Sequence, residues 1–93
     1  MTRSEVLDKA KDIVNGKRQQ DYGSVEDNFA KIAMLWTAYL GHDVVAQDVA
    51  AMMILLKIAR EQTGHGKDDN WIDIAGYAAC GAELWGDKPL WKD

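Results

Sequence analysis

The sequence predicts an all-α protein, an antiparallel four-helix bundle with a short C-terminal tail. Apolar residues recur at helical spacing along most of the chain, short polar connections separate these segments, and no stretch alternates as a strand would. Capping residues and glycines stand in the connections, where helix ends require them. We therefore expect one all-α domain over residues 1–93, with helices at about 3–15, 25–40, 46–62 and 70–85.

The predicted central helix is the most apolar part of the chain. In Gln47–Arg60, ten of fourteen residues are apolar, whereas a solvent-facing helix has a single apolar stripe. The segment has no Gly or Pro, and its Ala, Met and Leu residues are strong helix formers. We expect the other helices to surround it. Its cations Lys57 and Arg60 leave on one side, either to meet a ligand or to reach water.

Local signals predict the ends of the first two helices. Thr2 and Glu5 have capping-box spacing, and Gly16 is the residue expected to end the first helix in a left-handed conformation. Ser24 is the expected N-cap of the second helix, and Gly41 its end. The predicted buried stripe of the second helix consists of Phe29, Ile32, Ala33, Trp36, Tyr39 and Leu40.

The fourth helix is rich in small residues. Gly76 and Gly81 inside it each cost about 1 kcal/mol relative to alanine. Close packing against the central helix would compensate for this cost, so we expect the two helices to pack flat on each other. Cys80, the lone cysteine, is expected to be a small core residue rather than a nucleophile. The predicted core stripe consists of Trp71, Ala75, Ala78, Ala82 and Trp85.

Composition excludes several classes of function. A net charge of −4 with a pI near 5.0 argues against a broad nucleic-acid surface, which requires clustered cations. The longest apolar run, Val49–Leu56, is too short to span a bilayer, so we expect no membrane partner. One cysteine and no signal-peptide core favour a soluble protein of a reducing cytoplasm.

Two polar loops precede helices and are candidate ligand loops. The first contains Arg18, Asp21, Tyr22 and Gly23, a cation, a carboxylate and an aromatic face beside a helix N-terminus. The second, residues 65–70, contains Lys67. Both are equally consistent with solvated connectors, in which Gly23 supplies a turn conformation.

One group of charges has the composition of a phosphate site. Asp69 and Asp73 are four residues apart and share a helix face with Tyr77. Beside Lys57 and Arg60, these carboxylates form either a structural ion-pair network or half of a magnesium site. In the second case the cations Arg18, Lys57, Arg60 and Lys67 would hold phosphates, and an aromatic ring of Tyr22, Trp36, Trp71 or Tyr77 would stack on a base.

The motifs RxxDYGS, NF, IAxLWxAYLG, DVAAMMILLKIAR and DNWxDIAGYAACGAE, from Arg18 to Glu83, resemble a family of small phage and prophage proteins of uncharacterised function. The same motifs are similar to a phage domain associated with nucleotide modification and to the phage nucleotide kinase that lacks a P-loop. More distantly, the chain resembles the all-α NTP pyrophosphohydrolases of the MazG kind, which bind Mg²⁺ through ExxE and ExxD motifs. Here Phe29 stands where the second glutamate after Glu26 would be, and Asn70-x-x-Asp73 replaces ExxD.

The resemblance implies a nucleotide-binding domain in the cytoplasm of a bacterial host, forming a homo-oligomer. In an enzymatic form, Glu26, Asp69 and Asp73 would hold Mg²⁺, while Lys57 and Arg60 stabilise phosphate charge during hydrolysis or transfer. The expected substrate-binding residues are Arg18, Asp21, Tyr22, Gly23, Lys67 and Tyr77. The alternatives are a non-catalytic phage protein that binds and modulates a host factor and a purely structural helical module.

Overall fold

The computed structural model describes residues 1–17, 23–63 and 68–84, and no β-strand occurs within these ranges. The elements are α1 (Arg3–Asp12), a π-helical turn (Ile13–Lys17), α2 (Val25–Leu40), α3 (Ala46–Thr63) and α4 (Asp68–Leu84). The prediction of an all-α helical bundle is confirmed.

The predicted helix caps are present at three ends. At the start of α1, Thr2 N–H donates to Glu5 Oε1 at 2.9 Å, and Glu5 N–H donates to Thr2 Oγ1 at 3.1 Å. The Thr2 backbone amide holds the pKa of the Glu5 carboxyl below its usual value, because this bond favours the charged form. Ser24 Oγ accepts from Asp27 N–H at 3.1 Å, and Gly41 ends α2 in the left-handed region with φ 67°.

The end of α1 differs from the prediction. Gly16 does not end the helix with a left-handed residue; it lies inside the π-helical turn. This turn contacts α4, and a Cβ added to Gly76 would lie 3.1 Å from Cγ1 of Val14. A wider turn that fits Val14 against a neighbouring glycine is a tertiary feature, so the local signal at Gly16 did not predict it.

The helices pack in the spatial order α1, α4, α3, α2. The contact between α3 and α4 is the most extensive, while α1 packs on α4 and α2 packs on α3. A Cβ added to Gly81 would lie 3.1 Å from Cβ of Ala50, which confirms the close approach of α4 to the central helix. The buried core contains Phe29, Ala33, Val49, Ala50, Tyr77, Cys80 and Leu84.

The prediction that other helices surround α3 is wrong for this chain. In α3 only Val49 and Ala50 are buried, and Leu55 is 64% exposed. The predicted stripe of α2 is also wrong at its end, because Tyr39 is 89% and Leu40 53% exposed. Apolar composition identifies a helix that can be covered on several sides, but it does not supply the helices that cover it.

The predicted core stripe of α4 is rotated relative to the observed one. Trp71 is 51% exposed, Ala78 and Ala82 are exposed, and Trp85 lies outside the described residues. The buried positions are instead Asn70, Ile72, Gly76, Tyr77, Cys80 and Leu84. Small apolar residues stand on every side of α4, so helical periodicity does not select one face.

None of the helices in the described residues has both the length and the hydropathy that crossing a membrane requires. The longest, α3, has 18 residues, and its apolar run is interrupted by Lys57 and Arg60.

Candidate functional site

An ion pair joins the two central helices. Lys57 Nζ on α3 lies 2.7 Å from Asp73 Oδ2 on α4, and these side chains are 14% and 32% exposed. One turn away, Asn70 Nδ2 donates to Glu61 Oε1 at 3.2 Å. The end of α3 and the start of α4 are therefore joined by two polar contacts.

The structure brings Lys57 and Asp73 together but not the rest of the predicted phosphate site. Arg60 and Asp69 are exposed, and neither takes part in the Lys57–Asp73 ion pair. Tyr77 is buried, with its ring centroid 6.2 Å from that of Phe29, so its ring belongs to the core rather than to an open stacking surface. For Lys57 and Asp73 this arrangement matches the structural ion-pair alternative.

The three predicted metal ligands are not clustered. Within the part of the chain that the structure describes, no group of three or more His, Cys, Asp or Glu side chains could hold a metal ion. Glu26, Asp69 and Asp73 therefore do not form the carboxylate cluster expected from the sequence. Glu26 instead lines a groove that also contains Glu83.

This groove, called the α1–α4 groove below, has a volume of about 450 Å³. Small residues of α4 line one wall, namely Ala75, Gly76 and Ala79. Its polar residues come from four elements: Lys11 on α1, Asn15 on the π-helical turn, Glu26 at the start of α2 and Glu83 at the end of α4. A cavity of this size is within the range of small-molecule sites.

The groove exists because α1 and α2 pack on different helices. Within the described residues they make no contact with each other comparable to that of α1 with α4. The small side chains of α4 leave the space between them open. The helix cap at Ser24 fixes the first turn of α2, which carries Glu26.

A second, smaller cavity adjoins the groove and extends to Asp73. Its volume is about 20 Å³, room for one water molecule, and Asp73 and Tyr77 line it. Its lining shares Ala10, Val14, Gly76 and Cys80 with the groove. The ion pair is thus locked between helices but has one carboxylate at the edge of an opening.

The remaining predicted ligand residues divide into two groups. Gly23 is exposed with φ 82°, next to the N-cap of α2. Arg18, Asp21, Tyr22 and Lys67 lie outside the described residues.

Sequence reasoning missed the groove residues Lys11, Asn15 and Glu83. Lys11 and Asn15 are four residues apart, and Glu83 lies seven residues after Gly76, which are spacings along one helix face. These spacings were visible in the sequence. The packing of α1 on α4, which brings the two faces together, was not.

Comparison with known proteins gives a family but no solved relative. The chain is 50% identical over 74 residues to the "Gene 55 protein" of Mycobacterium phage L5, a match covering 78% of this chain and 47% of that protein. It is 42% identical over 76 residues to the "Gene 55 protein" of Mycobacterium phage D29, covering 81% and 50% respectively. The chain thus spans about half the length of these curated relatives.

No solved structure matches the chain. The relatives confirm the resemblance to phage proteins of unknown function, and they do not extend it to nucleotide kinases or to MazG. A domain of unknown function, DUF6378, matches residues 5–85, which include all of α2, α3 and α4 and all of α1 except its first two residues. The chain therefore belongs to the DUF6378 family.

Proposed function

We propose that the α1–α4 groove binds a nucleotide or a nucleotide-derived small molecule, and that Mg²⁺ enters with its phosphates. The observation that supports this proposal most is the groove itself, about 450 Å³ with two carboxylates and one lysine on its lining. Small-molecule sites combine an apolar wall with a few convergent polar groups, and the groove has both. The resemblance to phage nucleotide-handling domains supports the choice of ligand.

The donor set fits Mg²⁺ only in the presence of a phosphate ligand. Mg²⁺ is commonly held by one or two carboxylates, with waters and phosphate oxygens completing its octahedron. Glu26 and Glu83 supply two carboxylates on one groove, whereas Asp73 is already paired with Lys57. When bound, the metal would neutralise phosphate charge. Glu26 and Glu83 therefore replace the trio Glu26, Asp69 and Asp73 in this proposal.

The other polar residues have distinct tasks. Lys11 provides a cation on the groove lining to attract the phosphates, and the Asn15 amide offers both a donor and an acceptor. Lys57 and Asp73 act indirectly. Their ion pair holds α4, which carries Glu83, against α3. Arg60 is exposed and contributes no lining to the groove.

The proposal is first of all that the groove binds a nucleotide. In its enzymatic form, the protein also converts the bound nucleotide to products. The likeness to pyrophosphohydrolases favours hydrolysis of a phosphoanhydride bond by water. The likeness to the P-loop-less kinase favours transfer of a phosphoryl group to a second nucleotide. Both reactions would take place in the same groove, but they give different products. Incubation with Mg²⁺ and nucleotide, followed by ³¹P NMR of the products, therefore distinguishes them.

Thermal melts with nucleoside mono-, di- and triphosphates, with and without Mg²⁺, test binding directly. A ligand present at 100 times its Kd stabilises the fold by about 2.7 kcal/mol. For a domain of this size each kcal/mol raises Tm by roughly 4–8 °C, so the expected shift is large. If no nucleotide shifts Tm under either condition, the nucleotide proposal is overturned, and binding of a host protein becomes the better account.

Three matched variants locate the site. Glu26→Gln and Glu83→Gln are each expected to weaken Mg²⁺-dependent binding about 10-fold or more, because each removes one of two carboxylates near the metal. Asp69→Asn is the control, since Asp69 is exposed and does not line the groove. If Asp69→Asn is as damaging as Glu83→Gln, the site is the one predicted from the sequence and not the groove.

A further inference from the structure

The solvent-facing side of α3 has no polar residue between residues 51 and 59, about two and a half turns. Between residues 51 and 59 every exposed position is apolar, and Lys57 is turned inward to Asp73. We call this surface the outer face of α3. It consists of Ala51, Met52, Leu55, Leu56, Ile58 and Ala59.

The outer face is as large as the largest apolar patch of a typical monomer. Its large side chains are 39% (Met52), 64% (Leu55), 39% (Leu56) and 40% (Ile58) exposed. A large apolar side chain that is about half exposed presents on the order of 100 Å², so the face alone presents roughly 400 Å². The largest apolar patch on a typical monomer is about 300–600 Å² and commonly functional.

The neighbouring helix α2 adds apolar surface. Leu35 is 58% and Tyr39 89% exposed, and being four residues apart they lie on one side of α2. Met34 and Leu40 are 65% and 53% exposed. Leu35 and Tyr39 bring the exposed apolar surface to roughly 600 Å², most of the ~800 Å² that each partner buries in a stable protein interface of standard size, while Met34 and Leu40 point to other sides of α2.

We propose that the outer face of α3 is a homodimer interface and that a second copy of this chain covers it. α3 spans Ala46–Thr63, and its midpoint lies beside Leu55, the most exposed large residue of the face. An antiparallel crossing of two α3 helices about a two-fold axis at Leu55 sets Met52 of one copy opposite Ile58 of the second. It also sets Ala51 opposite Ala59, so that small residues meet at both ends and the backbones approach closely.

The pattern of the face is what favours a second copy over other occupants. A two-fold interface requires one patch to be complementary to itself, and the residues on either side of Leu55 match in size and polarity when the helix is reversed. No charge on the face is left to be buried without a partner. Residues 85–93 of the same chain, or a different protein, are the other occupants, and each would leave the isolated chain monomeric.

Solution mass decides between these occupants. Multi-angle light scattering after size exclusion is expected to give twice the 10.4 kDa of one chain. Leu55→Glu should raise the dimer Kd by about 100-fold or more, because two carboxylates would be buried at the axis. The matched control is Leu7→Glu on α1, since Leu7 is 62% exposed and Leu55 64%. This control should remain dimeric.

Cross-linking tests the position of the axis. Leu55→Cys is expected to be trapped as a covalent dimer by a short bis-maleimide, whereas Leu7→Cys and the unmodified chain are not, since Cys80 is buried. A wild-type mass of one chain would overturn the proposal. So would a dimer that Leu55→Glu leaves intact, and circular dichroism of each variant separates loss of association from loss of folding.

Discussion

The ion pair between Lys57 and Asp73 offers the sharpest test of how the central helices are held together. The perturbation is Asp73→Asn, which keeps the size of the side chain and removes its charge. Lys57 is 14% exposed, so its ammonium group would lose its counter-charge while remaining largely covered. Exposed ion pairs contribute about 0–1 kcal/mol, and breaking a fully buried one costs about 3–5 kcal/mol.

The expected loss lies between these limits. Because Asp73 is 32% exposed, water screens part of the interaction, and we expect the free energy of unfolding to fall by about 2 kcal/mol. For a chain of 93 residues this corresponds to a fall in Tm of roughly 8–16 °C. Urea unfolding followed by circular dichroism measures the free energy, and its slope checks that the amount of surface exposed on unfolding is unchanged.

A double-mutant cycle with Lys57→Met isolates the pair. The coupling energy is expected to be about 1–2 kcal/mol, with the double variant more stable than the sum of the single losses predicts. Asp69→Asn is the control: Asp69 lies four residues earlier and is exposed, so its loss should stay within about 0.5 kcal/mol. If Asp73→Asn is as neutral as Asp69→Asn, the pair does not stabilise the bundle. If it abolishes Mg²⁺-dependent binding at unchanged stability, Asp73 is a metal ligand after all.

Two further substitutions test the core and the first helix cap. Phe29→Ala should lower the free energy of unfolding by about 3–5 kcal/mol in urea, because Phe29 is 1% exposed, whereas Tyr39→Ala at an 89% exposed position should cost far less. The Tyr39→Ala variant is unfolded at several protein concentrations, because a loss of stability that comes from weaker dimerisation depends on protein concentration. Glu5 has a lowered pKa in the folded protein, so its contribution is present above its unfolded pKa and is lost as the pH falls through its folded pKa. Glu5→Gln should therefore differ from wild type in urea midpoint at neutral pH and converge with it as the pH falls through the folded pKa of Glu5, and a constant difference at all pH values would contradict this assignment.

The features that the sequence predicted well are those that depend on local chemistry. Thr2, Ser24 and Gly41 act on backbone groups within four residues of themselves, so their spacing alone located three helix ends. The close approach of Gly81 to Ala50 was also predictable, since a helix-interior glycine costs stability unless something packs against it.

The orientation of apolar helices could not be predicted in the same way. In α3 and α4 apolar or small residues occupy nearly every side, so periodicity alone left the buried face undetermined. Trp71 was expected inside and is 51% exposed, while Leu55 is exposed although the helix as a whole reads as core. Which side is covered depends on where α1 and α2 lie, and that is set by the sum of tertiary contacts rather than by any one segment.

The candidate site shows the same limit. Lys57 and Asp73 stand near the end of one helix and the start of the next, so a short connection already brings them near each other. Glu26 and Glu83 are separated by most of the chain, and only the packing of the helices around α4 places both on one groove. The sequence suggested that carboxylates form the site, but only the tertiary structure determines which two carboxylates line the groove.

The proposed ligand groove and the proposed dimer interface are physically separate, so each can be tested without disturbing the other. α1, the π-helical turn, the start of α2 and α4 line the groove, and α3 contributes no residue to its lining. The outer face of α3 in turn includes none of the groove's carboxylates. A ligand site and a contact surface that share no side chain can fail independently, so loss of one function in a variant does not follow from loss of the other. Two helices link them: α3 carries Lys57 on its inner side and Leu55 on its outer side, and α2 carries Glu26 at the groove and Leu35 and Tyr39 beside the outer face. An effect of association on ligand binding would pass from α3 to α4 across their extensive contact, which includes the Lys57–Asp73 ion pair, or along α2 to Glu26, and comparing ligand binding by the wild type with that by the monomeric Leu55→Glu variant measures it.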